Sequence, residues 1–441
     1  MDKLVQYRID GMPLDKASSF FADEILSQPG VKNVVILPDS FTKEKYLVAK
    51  NKVTIPSSIA ITSSIDNFYP LFRSRGINCG MSLVALPIDK RDLDDKFLQS
   101  LFDKINYSIA YYINYRLRLS FIKNKYDLSS ADFFGVLEKG APYFADKFSL
   151  QNIGLENIEF GGQFKEINLK EQRKYLNDSW LDKRSIRLKN SFGRYFGGNH
   201  FLEIQEVVSS EESLGLHVGQ LVVMFHTAGE SLEDVIAPNI REKYINQTEY
   251  KSINSSDEDF KYFSTALAVL MNFGFAYRLA TAAIIDDLVK DSFGSDKQAK
   301  IIIDRSHNHF IEENINNQKI IAYRHNAERL LPGGMSILSG DRNHPSYILK
   351  AGNSIDKTFY TIDHGLGSII DYQKDLAEVN KKNNVKIYRF KKGLKNSSFH
   401  TKFEEDLIYN NIVDKYFSLM SQEDIAHKIA EFKPLINIKF T

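Results

Sequence analysis

The sequence predicts an α+β fold, and three observations carry that prediction. Short apolar runs of strand length recur as VVIL (34–37), SLVALPI (82–88), HFLEIQEV (200–207), QLVVMFH (220–226) and KIIID (300–304). Helical patterns and polar turns separate them, so helices and strands both contribute to the core. Strict βαβ alternation is missing, and no Gly-rich loop closed by Lys-Ser/Thr appears, which leaves a dinucleotide-binding or P-loop architecture without support. No repeat of solenoid period is present.

The 441 residues are 43% apolar, 12% aromatic and 26% charged, the composition of a chain that buries a sizeable core rather than one that stays disordered. Stretches 209–213 and 246–259 are polar and read as surface loops. Neither is long or biased enough to link separate domains. The predicted organisation is therefore one domain over residues 1–441, with insertions near 60–75 and 336–345.

The longest apolar stretch, 263–285, contains Asn272 and Arg278, which would be costly in lipid. It reads as a buried helix, and Ser256 followed by Asp259 has the capping-box spacing for its start. The opening MDKLVQYRID lacks the basic flank and apolar run of a signal peptide, and Cys79 is the single cysteine, so no intrachain disulfide forms. A cytoplasmic location is the expectation.

Lys and Arg (57) balance Asp and Glu (56), so a contact with nucleic acid requires a local basic patch. Segment 381–402 offers one: Lys386, Arg389, Lys391, Lys392 and Lys395 alternate with Tyr388, Phe390 and Phe399. A strand with a solvated lysine face is the plainer reading of the same run.

The residues able to carry chemistry stand at turns and strand ends. Cys79 lies in RGINCGM, between Gly76 and Gly80. His200 opens a strand after two glycines and Asn199, and His226 closes another. His307 and Asn308 follow KIIID, and His364 precedes Gly365 and Gly367. A lone cysteine is ordinarily a small apolar core residue, and a lone histidine a satisfied polar group. A thiolate with several imidazoles is nonetheless a ligand set that transition metals accept, and ligands drawn from distant segments suit a catalytic site better than a structural one.

The segments GGNHFLEIQ (197–205), VMFH (223–226), SHN (306–308), PGGM (332–335), HGLG (364–367) and KPLINIK (433–439) follow the order and approximate spacing of the RtcB family of RNA ligases, which the chain resembles from about residue 34 to its end. The resemblance implies a single catalytic domain of mixed β-sheets surrounded by helices. It implies joining of an RNA 3′-phosphate or 2′,3′-cyclic phosphate end to a 5′-hydroxyl end, in RNA repair or tRNA splicing, with GTP and one or two Mn2+ ions. His364 would take GMP covalently, and Cys79, His200, His226 and His307 would hold metal. Phe201, Glu203, Lys439, Ser346 and Tyr409 would form the guanine pocket, with Asn199 against the phosphate. RNA is the implied partner, with an archease-like activator as in part of the family; neither membrane nor DNA is expected.

Departures from the family pattern cluster. The motif D-x-x-C-G-M carries Gly76 in place of its Asp, and the family's glycine just before the Cys is Asn78, which offers only a neutral, weaker oxygen ligand. After His226, Thr227, Ala228, Gly229 and Glu230 replace S-G-S-R, putting an anion where the family has a cation, and Ser368 replaces an arginine after HGLG. Pro38, Asp39, Ser40 and Phe41 stand for P-D-x-H, and Tyr323, Arg324, His325 and Asn326 for H-R-K-G. Lost arginines remove bidentate phosphate clamps that lysines do not copy. Two further readings follow from these losses: an impaired relative that binds guanine nucleotide or RNA without ligation, and a metal-dependent hydrolase of phosphate esters.

Overall fold

The computed structural model describes residues 3–12, 16–40, 55–74, 76–101, 103–104, 125–184, 192–193, 200–340, 344–370, 387–390 and 407–440. Two large sheets organise them. Strands β1 (Leu4–Gln6), β2 (Val31–Ile36), β3 (Ile59–Ser64), β8 (Asn308–Ile315) and β9 (Gln318–His325) form a five-stranded sheet in the order β1-β2-β3-β9-β8. The larger sheet runs β11-β12-β15-β5-β6-β4-β7, built from β4 (Gly76–Asp89), β5 (Phe201–Ser210), β6 (Gln220–Ser231), β7 (Lys300–Ser306), β11 (Met335–Leu338), β12 (Ser346–Ala351) and β15 (Ala426–Phe440). Off that path, β14 (Ile387–Phe390) pairs with β15 in parallel. A two-stranded ladder joins β10 (Ala327–Arg329) to β13 (Thr361–Asp363).

The α+β prediction therefore holds, and each of the five apolar runs lies in or overlaps a strand. Most pairings are antiparallel, which is why no βαβ rhythm shows in the sequence. The stretch near 60–75 includes β3, a central strand of the five-stranded sheet. Residues 341–343, in the other expected insertion, lie outside the described residues.

The apolar stretch is the core helix Glu258–Phe293, whose most apolar window is 94% buried inside the protein. It packs on β4 and β6 and along the helix Ser130–Phe148. Both polar residues inside it are satisfied. Asn272 Oδ1 accepts from the Phe164 amide, and its Nδ2 donates to the carbonyls of Leu137, Glu138 and Lys165. Its start differs from expectation: Asp257, not Ser256, is the N-cap, and it makes no side-chain cap bond. Asp259 is engaged instead by Lys243 Nζ and the Tyr244 hydroxyl, both at 2.6 Å, so the capping box does not form.

Candidate active site

Four adjacent strands of the larger sheet, β5-β6-β4-β7, bring the scattered ligand candidates into one row. Phe201 pairs with His226, His226 with Met81, and Met81 with Arg305. His200 directly precedes this row on β5, Cys79 lies two residues from Met81, and His307 two residues beyond Arg305. The His307 amide donates to the Cys79 carbonyl at 3.0 Å, carrying the β4 and β7 contact past the last residue of β7. The spacing that looks haphazard in sequence is thus a single lateral line across a sheet.

Three donors converge. Cys79 Sγ lies 2.9 Å from His226 Nε2, and His226 Nε2 lies 3.3 Å from His307 Nε2. All three ligand atoms fall within 4.8 Å of one another. Ligands 2.0–2.3 Å from a tetrahedral ion are about 3.3–3.6 Å apart, so the cluster needs only slight relaxation to hold one. Its chemistry asks for a cation. Burial pushes the Cys79 thiol up to about 12, against the pull of the Arg278 guanidinium, and a bound dication reverses that. Burial, followed by the neighbouring His364 and His226, holds His307 neutral, the form in which an imidazole ligates. His307 Nδ1 is buried without a hydrogen-bond partner among the described residues.

His200 stands to one side. Its Nε2 is 3.3 Å from Cys79 Sγ and its ring is 5.1 Å from that of His226, but it is not within the mutually close set of three. A second ion at that position would find Cys79 and His200 and no carboxylate at Gly76. Asn78 does not substitute. Its backbone is left-handed, with φ at 53°, and the side chain turns into the core helix, where Nδ2 donates to the Met271 carbonyl and Oδ1 accepts from Arg278. A left-handed residue also explains why glycine suits this position.

His364 reaches the cluster from a different element. It follows β13, which pairs with β10, and the first amide of β10, Ala327, donates to the His307 carbonyl. The His307 and His364 rings lie 4.3 Å apart at 35°. His364 Nδ1 is 2.8 Å from the Asn326 carbonyl oxygen. A carbonyl only accepts, so Nδ1 carries the proton and Nε2 keeps its lone pair. Burial lowers the His364 pKa to about 4, so the ring is neutral at physiological pH. The sequence shows Asn326 only as a departure from H-R-K-G and not as the partner of His364; the signal is an asparagine at the motif's glycine, which the structure places at a left-handed φ of 49°.

The RtcB family profile, described as tRNA-splicing ligase RtcB, matches residues 25–440. The chain belongs to the RtcB family. It is 24% identical over 401 residues to the tRNA-splicing ligase RtcB of Thermococcus kodakarensis, covering 81% of this chain and 79% of that protein. It is 23% identical over 428 residues to the tRNA-splicing ligase RtcB of Pyrococcus furiosus, covering 85% of this chain and 42% of the longer protein. RNA-splicing ligase RtcB homolog 2 of Entamoeba dispar is 22% identical over 459 residues, covering 94% of this chain and 82% of that protein. Identities of this size mark a divergent member, in keeping with the substitutions around Cys79.

The RtcB resemblance assigns guanine to a group that the fold partly assembles. Glu203, only 2% exposed, faces inward, and its carboxylate accepts from Gln205 Nε2 at 2.7 Å and from Asn437 Nδ2. Gln205 Nε2 is also 3.2 Å from Ser346 Oγ, tying β5 to β12. Gln205 was not singled out in the sequence, although its i, i+2 spacing from Glu203 puts both on one face of the strand. Phe201 lies beside His226, ring centroids 5.7 Å apart. Tyr409 donates to the Pro345 carbonyl at 2.7 Å and stacks on His344 at 3.8 Å, so the residues just before Ser346 grip it. Asn199 lies outside the described residues, and Lys439 is described only as a β15 backbone position paired with Arg389. The basic segment 381–402 likewise falls outside them except for the backbone of β14.

Proposed function

We propose that this chain is a GTP- and metal-dependent RNA ligase that joins an RNA 3′-phosphate or 2′,3′-cyclic phosphate end to a 5′-hydroxyl end through a histidine-GMP intermediate. The observation that carries the proposal is His364, with Nδ1 hydrogen-bonded to the Asn326 carbonyl, beside a Cys-His-His cluster able to hold a metal. Cys79, His226 and His307 would hold the ion, Mn2+ by the family resemblance, and a dication there neutralises charge on a nucleotide triphosphate. His364 Nε2 attacks the α-phosphorus: an N–P bond forms, the bond to the bridging oxygen of the β-phosphate breaks, and pyrophosphate leaves. The Asn326 carbonyl keeps the Nδ1 proton in place and disperses the positive charge that the ring gains. Glu203 suits guanine, whose N1–H and 2-amino group both donate to a carboxylate, whereas adenine presents an acceptor at N1.

Incubation with α-labelled GTP and Mn2+ should label the protein covalently, and His364→Ala should abolish the label while circular dichroism stays unchanged. A persistent label in that variant refutes the assignment. Ligation of RNA carrying 3′-phosphate and 5′-hydroxyl ends, with and without an archease-like activator, tests the joining step.

Gly76 and Glu230 favour a second reading, in which the guanine pocket is kept and joining is lost. A labelled protein that seals no RNA end supports it; release of phosphate without joining points to a hydrolase.

A further inference from the structure

Arg278, fully buried in the middle of the core helix and 5.3 Å from the Phe275 ring centroid, directs its hydrogen bonds, among the described residues, to two strands that carry metal-ligand candidates. Its Nε and Nη2 donate to the two Asp304 oxygens at 2.8 and 2.7 Å. Its Nη1 donates to the Asn78 carbonyl at 2.8 Å, and Nη2 also reaches Asn78 Oδ1 at 3.0 Å. Asn78 adjoins Cys79 on β4; Asp304 is three residues before His307 and lies on β7. Gly80 closes over the guanidinium so tightly that a Cβ there would lie 2.6 Å from Nη1.

The last paired residues of β4 and β7 on this side are Gly80 and Ser306. Beyond them, the hydrogen bond from the His307 amide to the Cys79 carbonyl joins the two ligand-bearing segments. A backbone bond fixes one line and leaves rotation about it. The guanidinium fork, gripping Asn78 on β4 and Asp304 on β7, adds a rigid side-chain tie across the two strands next to the Ser82 hydroxyl bond to Asp304.

We infer that Arg278, through its bridge from Asn78 to Asp304, is the positioning residue that sets the separation and aim of the Cys79 and His307 ligands. Asn78, where the RtcB pattern has glycine, adds a side-chain brace to the backbone contact. The inference rests on the Cys79 cluster being a metal site. An alternative role is general stability, since a buried ion pair is weak ground for any particular function. The two roles separate by experiment, because stability affects the unfolding temperature, whereas positioning affects the metal itself.

Co2+ is the probe, followed by calorimetric titration and by the thiolate-to-cobalt charge-transfer absorbance of the full chain, with folding checked by circular dichroism. Arg278→Lys keeps the charge and loses the fork. It should weaken Co2+ binding about 10–100-fold, the range for outer partners of metal ligands, and diminish the charge-transfer band. Asn78→Gly tolerates the left-handed backbone and keeps the Nη1 bond to the carbonyl, so it should fold and give a smaller loss. Its result decides the matter if Arg278→Lys does not fold. Wild-type affinity and band in a folded Asn78→Gly and a folded Arg278→Lys would overturn the positioning role alone. Absence of Co2+ binding by the wild type would overturn the metal site as well.

Discussion

Acid should destabilise the metal-free protein through His364 in particular. Burial holds this imidazole's pKa near 4, against 6.5 for an ordinary histidine. The folded state therefore resists a proton that the unfolded chain accepts, and stability falls as pH drops from about 6.5 towards 4. The difference, 6.5 less 4, is about 2.5 units, or roughly 3 kcal/mol when fully expressed. At pH 4.5 most of it is felt, and the partial exposure of His364 trims the expected loss relative to pH 7 to about 2 kcal/mol. Other buried groups titrate too. Asp363, raised to about 7 by burial, and Glu328, raised to about 8 by burial, contribute with the opposite sign. Comparison with His364→Gln cancels them, because the variant keeps every one of those groups. Removing His364 also relieves a repulsive neighbour of His307, which pushes the difference in the same direction. Urea unfolding at pH 7 and pH 4.5, in chelator, measures it. If wild type and His364→Gln lose the same stability on acidification, His364 is not held neutral by its surroundings and the nucleophile argument fails.

Two further perturbations address metal and base. A Cβ at Gly76 would lie 3.8 Å from Cys79 Cβ and 4.0 Å from Asn308 Nδ2, ordinary contacts, so Gly76→Asp should fold and set a carboxylate beside Cys79 and His200. Mn2+ bound per chain, counted by elemental analysis after equilibrium dialysis, should rise from one to two; an unchanged count refutes the account of the second position. Glu203→Gln replaces a charged acceptor with an amide that has one acceptor oxygen. Loss of a charge-assisted bond is worth about 1.5–3 kcal/mol, so preference for GTP over ATP in binding should fall by about tenfold or more. A preference unchanged by the substitution would remove Glu203 from base recognition.

The sequence exposed the apolar half of the fold more readily than the polar half. VVIL, SLVALPI and QLVVMFH show as strands because both faces of those segments are covered. β3 (IAITSS) and β8 (NHFIEENI) are less legible, since polar side chains interrupt them and pairing makes them strands, β3 with β2 and β9 and β8 with β9. β4 begins at Gly76 and β6 continues to Ser231, through glycines and polar residues that no propensity marks, because each holds the other in register. At the site, the histidines and Cys79 were legible as a motif, while the partners that aim them were not. Asn326 acts through a carbonyl, which every residue has. Arg278 acts across 200 residues of chain, and in the sequence it is an awkward cation in an apolar run.

Two of the substitutions around the site are neighbours, while Ser368 after HGLG and Asn326, at the glycine of H-R-K-G, lie apart from them beside His364. Gly76 pairs with Ser231 and Ile77 with Glu230, so the lost carboxylate on β4 and the gained one on β6 are neighbours on one edge of the sheet. The groups proposed for the first step lie elsewhere: His364 after β13, its Asn326 partner before β10, Glu203 on β5 beneath Gln205 and Asn437. This changed edge adjoins both the expected second metal position and the surface where the family has an arginine after its strand-end histidine. It leaves in place His364 with its bond to the Asn326 carbonyl, and Glu203, the proposed nucleophile and guanine acceptor. On the proposed function, guanylylation and RNA joining would therefore draw on different elements of the chain. If Gly76→Asp combined with Glu230→Arg accelerates joining without changing the rate of guanylylation, the division is real; equal effects on both rates would mean that the edge serves the two steps alike.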